Sequence, residues 1–416
     1  MNIRPELIAK AKQAVSWRRT LHQNPQVGYE EEFASDFIKH KLSEFGLQYT
    51  DGWGKKDGKG GYGVVAIIEG KQNTSGKVVA LRADMDALKI TEQTGLLWSS
   101  QNPGFMHACG HDGHTASLLV ATQYLAETRN FDGTAVIIFQ PAEEGGGGAL
   151  QMIKEGVLDQ HNVDEVYAFH NWPLLPLGQA MVWHDVALAG AKSFNITLTG
   201  KGGHGGIDAN DKTPTDAAGF ILSKITKSKR HGVPSPLSRI IKRIKRDKSK
   251  IHANVHGENV PENVIQKYAT LEGTMRFFKL SQEQYFTRKL EQAVKSATKE
   301  FSVSANIRYP IFYPVSVNNT LCAKFSQEVL NTILGKSNVH VQSDPIPGSE
   351  DFAGFLQERP GAMVFIGQAD PKDPNAACSQ MVHQPTYDFN DNALPVAAAW
   401  FVDIIEKRMP LTDLNL

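Results

Sequence analysis

Short apolar runs alternate along the chain with stretches of helical periodicity. Residues 63–68, 77–82, 134–139 and 165–169 are rich in Val, Ile and Phe and stop just before polar or glycine-rich residues, as buried strands do. Residues 117–127 and 149–155 carry helical spacing between them. Buried strands alternating with helices predict an α/β domain built on a mostly parallel sheet. The pattern changes in the middle of the chain. Residues 193–199 and 268–277 alternate polar and apolar positions, as strands with one wet face do, and they predict a smaller α+β domain inserted at 189–308. A strand at 363–367 and a closing helix at 393–406 restore the first pattern, so 1–188 and 309–416 form one discontinuous domain.

The chain has 416 residues, 41% of them hydrophobic, with 44 basic against 44 acidic side chains. That length supports a large core and two or three domains, and the charge balance gives no overall reason to expect nucleic acid. Residues 1–15 mix charges with apolar side chains, unlike a signal peptide, and no run approaches the ~18 apolar residues of a membrane span. A soluble, cytoplasmic protein is expected. Cys109, Cys322 and Cys378 share no repeating spacing, which argues against a disulfide framework.

Ligands of open α/β sheets collect at the carboxyl ends of strands. Asp84 and Asp86 follow one predicted strand, Glu143 and Glu144 another, and His170 ends a third. Between them stands Cys109-Gly110-His111-Asp112-Gly113-His114. Imidazole and thiolate are borderline-soft ligands for a divalent metal. Cys109 and His111, two apart, point to one side of an extended stretch, whereas His111 and His114 are neighbours only on a helix. With Thr115 as the cap of the helix that follows, Cys109 and His111 are expected on the loop and His114 near the first turn. A cysteine nucleophile paired with a histidine is the rival reading. Glu143 and Glu144 precede four glycines, and adjacent side chains diverge, so one carboxylate can bind metal while the other holds a water as general base. No Lys-Ser/Thr pair follows the glycines, as a phosphate loop requires. His383 stands in Met381-Val382-His383-Gln384-Pro385.

Further motifs stand in order with these blocks. They are Trp17-Arg18-Arg19-Thr20-Leu21-His22-Gln23-Asn24-Pro25, Arg82-Ala83-Asp84-Met85-Asp86-Ala87-Leu88, Gly200-Lys201-Gly202-Gly203-His204 and Gly348-Ser349-Glu350-Asp351-Phe352. Together they resemble the metal-dependent amidohydrolases of the aminoacylase and carboxypeptidase clan. The subfamily is that of hippurate hydrolases, N-acyl-amino-acid amidohydrolases and auxin-conjugate hydrolases. The resemblance implies that Cys109, His111, Glu144, His170 and His383 bind one or two divalent ions, manganese or zinc first, cobalt or nickel next. It implies Glu143 as general base and Asp86 as a carboxylate that orients a neighbour. The inserted domain becomes a lid and dimerisation domain whose His204 donates to the oxyanion, sometimes from a partner subunit. Asn263 and Arg276 resemble residues that hold substrate, an arginine fork suiting a carboxylate. The implied substrate is an N-acyl amino acid or related amide, and the implied assembly a homodimer.

The chain also departs from that pattern. After His204 it reads Gly205-Gly206-Ile207-Asp208-Ala209-Asn210, where similar enzymes carry small residues and then a Pro-His pair, and Gln266 replaces a usual proline. Residues 224–250 crowd lysine and arginine around a single acid, Asp247. A solvated segment needs no partner; an anionic membrane, nucleic acid or acidic protein would otherwise suit it. A catalytically weak, metal-binding regulatory protein is therefore the alternative to the enzyme. The unbroken set Cys109, His111, Glu143, Glu144, His170 and His383 favours the enzyme.

Overall fold

The computed structural model describes residues 1–208, 212–226 and 249–412. Most of the basic stretch 224–250, with Ala209 and Asn210, lies outside the described residues. The chain divides into two compact units. One is Met1–Ala187 with Ser316–Pro345 and Glu350–Leu416, and the other is Leu188–Val315 with Ile346–Ser349.

The first unit is built on an eight-stranded sheet. Its strands are β1 (Tyr49–Lys56), β2 (Lys59–Glu69), β3 (Val78–Asp84), β4 (Thr134–Gln140), β5 (Glu165–Pro176), β6 (Ala180–Trp183), β7 (Val339–Gln342) and β8 (Gly361–Ala369). They lie in the order β1-β2-β4-β3-β5-β8-β6-β7. The four central strands are parallel, and β6 pairs parallel with β7. Antiparallel pairing occurs at β1–β2, β2–β4 and β8–β6. Strands β3, β4 and β8 are buried along nearly their whole length; apolar side chains fill most positions, and the polar Arg82, Asp84 and Gln140 near the strand ends are paired with one another. The long helices are α1 (Pro5–Gln23), α2 (Glu32–Glu44), α3 (His111–Thr128), α4 (Thr320–Leu334) and α5 (Leu394–Arg408). Helix α3 packs against α1 and α5 and is buried almost all round, the signature of a core helix.

The start of α3 departs from the expected position. Helix α3 begins at His111, not beyond Thr115, so His111 is its first residue and does not sit on the loop. The cause is Gly110, whose φ of 92° is a left-handed conformation that glycine adopts without steric penalty. A Cβ at that position would lie 2.5 Å from Tyr387 Oη and 2.7 Å from Asn171 Oδ1. Thr115 instead donates from Oγ1 to the carbonyl of Asp84 at 2.8 Å, tying the helix to the end of β3.

The second unit holds an antiparallel sheet in the order Lys250–Gly257, Tyr268–Phe277, Gly190–Thr199, Ser304–Arg308, with Phe312–Tyr313 also paired to Gly190–Thr199. Alternate residues Phe194, Ile196 and Leu198 enter a core completed by Leu271, Met275 and side chains of helices Pro214–Thr226 and Leu280–Phe301. Gly203–His204 pairs with Val264–Ile265. Among the described residues no helix is long and apolar enough to cross a membrane.

Candidate metal centre

The ends of β3 and β4, the middle of β5, the start of α3 and the segment around His383 bring the expected donors together. His170 does not end its strand, contrary to expectation, because β5 continues to Pro176. The donor atoms of Cys109, His111 and His170 all lie within 4.8 Å of one another, as do those of Cys109, Glu144 and His383 and those of His111, Glu143 and Glu144. Cys109 Sγ is 3.4 Å from His170 Nε2, and Glu144 Oε1 is 3.1 Å from His383 Nε2 and 4.0 Å from His111 Nε2. Both inner imidazoles are oriented from behind. His111 Nδ1 donates to the Asp86 carbonyl at 2.9 Å and lies 3.3 Å from Asp86 Oδ1, while His170 Nδ1 donates to the Asn171 carbonyl at 2.7 Å. A carbonyl oxygen can only accept, so each Nδ1 bears the hydrogen and, in the neutral ring, each Nε2 offers a lone pair. His111 Nε2 is buried without a hydrogen-bond partner, 4.0 Å from Glu144 Oε1. Leaving such an atom unmatched costs about 1–3 kcal/mol. A cation between the two would remove that cost.

The charges point the same way. Burial, then the carboxylates of Glu144 and Glu143, pushes the Cys109 thiol well above its ordinary range. A cysteine nucleophile needs the opposite shift, so this thiol does not fit the rival reading of a nucleophile paired with a histidine, whereas a divalent cation would hold the thiolate. Burial, with His114 beside it, keeps His170 well below the usual imidazole range and therefore neutral, as a ligand must be. At His111 burial opposes charge, but Asp84 and Asp86 outweigh it and raise the ring to about 10. A cage that attracts a proton there suits a dication equally. The residues fit the metal that their types suggest.

Comparison with known proteins agrees with this chemistry. Residues 80–407 match the model of peptidase family M20/M25/M40. The chain belongs to this family. It is similar to hippurate hydrolase of Campylobacter jejuni, 30% identical over 409 residues that cover 98% of this chain and all of that one. It is also similar to N-acetylcysteine deacetylase of Bacillus subtilis, 32% identical over 94% of this chain and 95% of that one. An IAA-amino acid hydrolase of Arabidopsis thaliana is 32% identical over 94% of this chain and 86% of its own. Among solved structures, the Bacillus subtilis YXEP protein, described as a dinuclear metal binding peptidase of family M20, superposes with a TM-score of 0.74. It has 28% identity over 96% of this chain and 99% of that one. Membership and the donor set make this M20 chain a metal-dependent amidohydrolase.

Several residues of the M20 site carried no role in the sequence reading. Arg82, wholly buried, reaches Asp84 at 2.7 Å, Glu350 at 2.9 Å, Asp351 at 3.2 Å and Gln140 Oε1 at 2.7 Å. Asp351 in turn accepts from Gln140 Nε2 at 2.8 Å and from the Ala149 amide at 2.9 Å, so it spans the loop that carries Glu143 and Glu144. His114, though beside His111 and His170, has both ring nitrogens against acceptors, Asp84 Oδ1 and Asn171 Oδ1, each at 2.6 Å. The Asn171 amide also donates to Nε2 at 3.2 Å, so both ring nitrogens are taken up by protein partners, an arrangement that suits bracing the neighbouring imidazoles. Its signal in the sequence is its place three residues after His111 on a helix.

His204, Asn263 and Arg276 belong to the second unit. His204 and Asn263 are exposed and adjacent, the Gly205 amide donating to the Asn263 carbonyl at 2.7 Å. The Gly206 amide donates to His204 Nδ1 at 3.1 Å, which leaves the hydrogen of the neutral ring on Nε2 and makes that atom a donor. Arg276 Nη1 hydrogen-bonds Ser349 Oγ.

Proposed function

We propose that this M20 chain hydrolyses the amide bond of N-acyl amino acids or closely related N-acyl or aryl amides, with Glu143 moving the proton. The observation that carries the reading is the buried, unmatched Nε2 of His111, facing Glu144 in a cage shared with Cys109, His170 and His383. The names of the relatives support the substrate class: a hippurate hydrolase, an N-acetylcysteine deacetylase and an IAA-amino acid hydrolase.

Cys109, His111, Glu144, His170 and His383 would hold one or two divalent ions, manganese or zinc first and cobalt or nickel next. Their donor groups meet at Cys109, which suits two ions, as does the dinuclear Bacillus relative. When bound, such an ion polarises the amide carbonyl and makes water acidic. The rest falls to the chain. Glu143 takes a proton from the attacking water on a carboxylate oxygen and returns it to the departing amine. Asp86 holds His111 from Nδ1 and fixes the Glu144 amide through Oδ2 at 2.9 Å. His204 Nε2 is assigned the donation to the oxyanion, and Asn263 and Arg276 the polar ends of the substrate, on the resemblance.

His204→Ala is expected to leave metal content intact and lower kcat by about 10²-fold, the usual cost of losing one oxyanion donor. Metal analysis beside steady-state kinetics checks it, and unchanged kcat would remove the assignment. The function itself is tested by assaying a panel of N-acyl amino acids with manganese, zinc, cobalt or nickel. Turnover of at least one, abolished by a chelator and restored by metal, is expected. Metal bound with no turnover on any of them would overturn the proposal in favour of a regulatory protein.

A further inference from the structure

Glu31 stands immediately before α2, where a side-chain oxygen commonly accepts from the first free amides of a helix. It makes no such cap. Its carboxyl is wholly buried and turns inward, Oε1 accepting from the Ala142 amide at 2.7 Å, while Oε2 is buried without a hydrogen-bond partner. Forgoing a cap costs the helix about 1 kcal/mol, and burying a half-matched carboxyl costs more, so the arrangement implies a use elsewhere.

The target explains the use. Ala142 has a φ of 55°, a left-handed conformation that costs a residue with a side chain roughly 1–2 kcal/mol. The two residues after it are Glu143 and Glu144, and the Glu144 amide is held by Asp86 Oδ2. Carboxyls from two separate segments therefore grip alternate amides of one turn, with Glu143 between them. The fit on that side is close: a Cβ on Gly28 would lie 3.0 Å from both Cα and Cβ of Ala142.

We infer that Glu31 is a positioning residue for Glu143: by holding the Ala142 amide it fixes the left-handed turn that aims the Glu143 carboxylate. This rests on the reading of Glu143 as the proton carrier. Burial, then the charge of Asp86, pushes the Glu31 carboxyl up to about 8, so glutamine is a close match in both shape and charge. Glu31→Gln keeps an oxygen for the Ala142 amide; Glu31→Ala removes it, and Glu31→Asp draws it back by one methylene.

The experiment compares kcat, KM, bound metal and melting temperature for the three variants, alone and with Glu143→Gln. Glu31→Ala and Glu31→Asp are expected to lose on the order of 10²-fold in kcat, as a misplacement of about 1 Å does. KM and metal content should hold, and Glu31→Gln should stay within a few-fold of the parent. Added to Glu143→Gln, the Glu31 changes should cost nothing further, because the group they aim is gone. Parental kcat in both Glu31→Ala and Glu31→Asp would overturn the inference. So would a glutamine variant as impaired as alanine, or losses that multiply with that of Glu143→Gln. Near-normal turnover in Glu143→Gln alone would instead overturn the reading of Glu143, a result distinct from any in the Glu31 series.

Discussion

Glu143→Gln is expected to lower kcat by about 10²–10⁴-fold with the fold and the metal content unchanged. The metal stays because its proposed donors are Cys109, His111, Glu144, His170 and His383, and glutamine has the shape of the carboxylate it replaces. Turnover falls because an amide cannot take the proton of the attacking water. Burial raises the Glu143 carboxyl well above its ordinary range, and the charges of Glu350 and Glu144 raise it further. That direction suits a group that must accept a proton and then release it to an amine; a bound cation acts against it. The working form is ionised, so kcat/KM of the parent should fall on the acid side as pH drops through the Glu143 pKa. The residual activity of the variant should lack that limb. Metal analysis and a pH profile of both proteins check this. Near-normal turnover in the variant, or an unchanged acid limb, would dismiss Glu143 as the base.

What the sequence makes legible follows from how each element is used. Strands β3, β4, β5 and β8 sit in the centre of the sheet, and burial on both faces leaves an unbroken apolar run that can be read directly. Strand β1 mixes exposed residues with glycines and β6 is four residues long, so neither leaves a periodic trace. The start of α3 is not legible in the sequence because one left-handed glycine, Gly110, lets the helix begin inside the His111 cluster. Cys109, His111, Glu143, Glu144 and His170 could be picked out because histidine, cysteine and paired acids crowd short stretches: the glycine-flanked start of α3, the turn after β4 and the apolar run of β5. Glu31, Arg82 and Asp351 could not, because their roles come from contacts distant in the chain. Glu31 meets Ala142 across 111 residues, and Arg82 meets Glu350 and Asp351 across 268 and 269. A buried arginine or glutamate looks like any surface one until its partners are known.

Arg82→Met is expected to destabilise the protein by about 3–5 kcal/mol, the cost of removing one partner from a buried ion cluster. The guanidinium is sealed from water and serves Asp84, Glu350 and Asp351 at once. Burial alone would weaken its charge, but Glu350, Asp84 and Asp351 more than offset that and hold it firmly protonated. Methionine fills much of the volume and supplies no charge, so three buried carboxyls lose their cation. Lysine keeps a charge but only as a single point, and should recover part of the loss without matching three acceptors. The sign of the pH dependence separates this account from a packing defect. At Asp84 the charges of His111 and then Arg82 overcome burial and hold the carboxyl well below its ordinary range, whereas at Asp351 Arg82 offsets only part of the rise that burial imposes. Without it their folded-state pKa values rise relative to the unfolded chain, and a raised carboxyl contributes stability that is lost as pH climbs through the folded pKa. The deficit of Arg82→Met should therefore be largest at neutral pH and shrink as pH falls towards the ordinary carboxylate range near 4. Urea denaturation of parent and variant at several pH values measures it. A deficit below about 1 kcal/mol, or one that does not change with pH, would show that the carboxyls around Glu143 do not depend on Arg82.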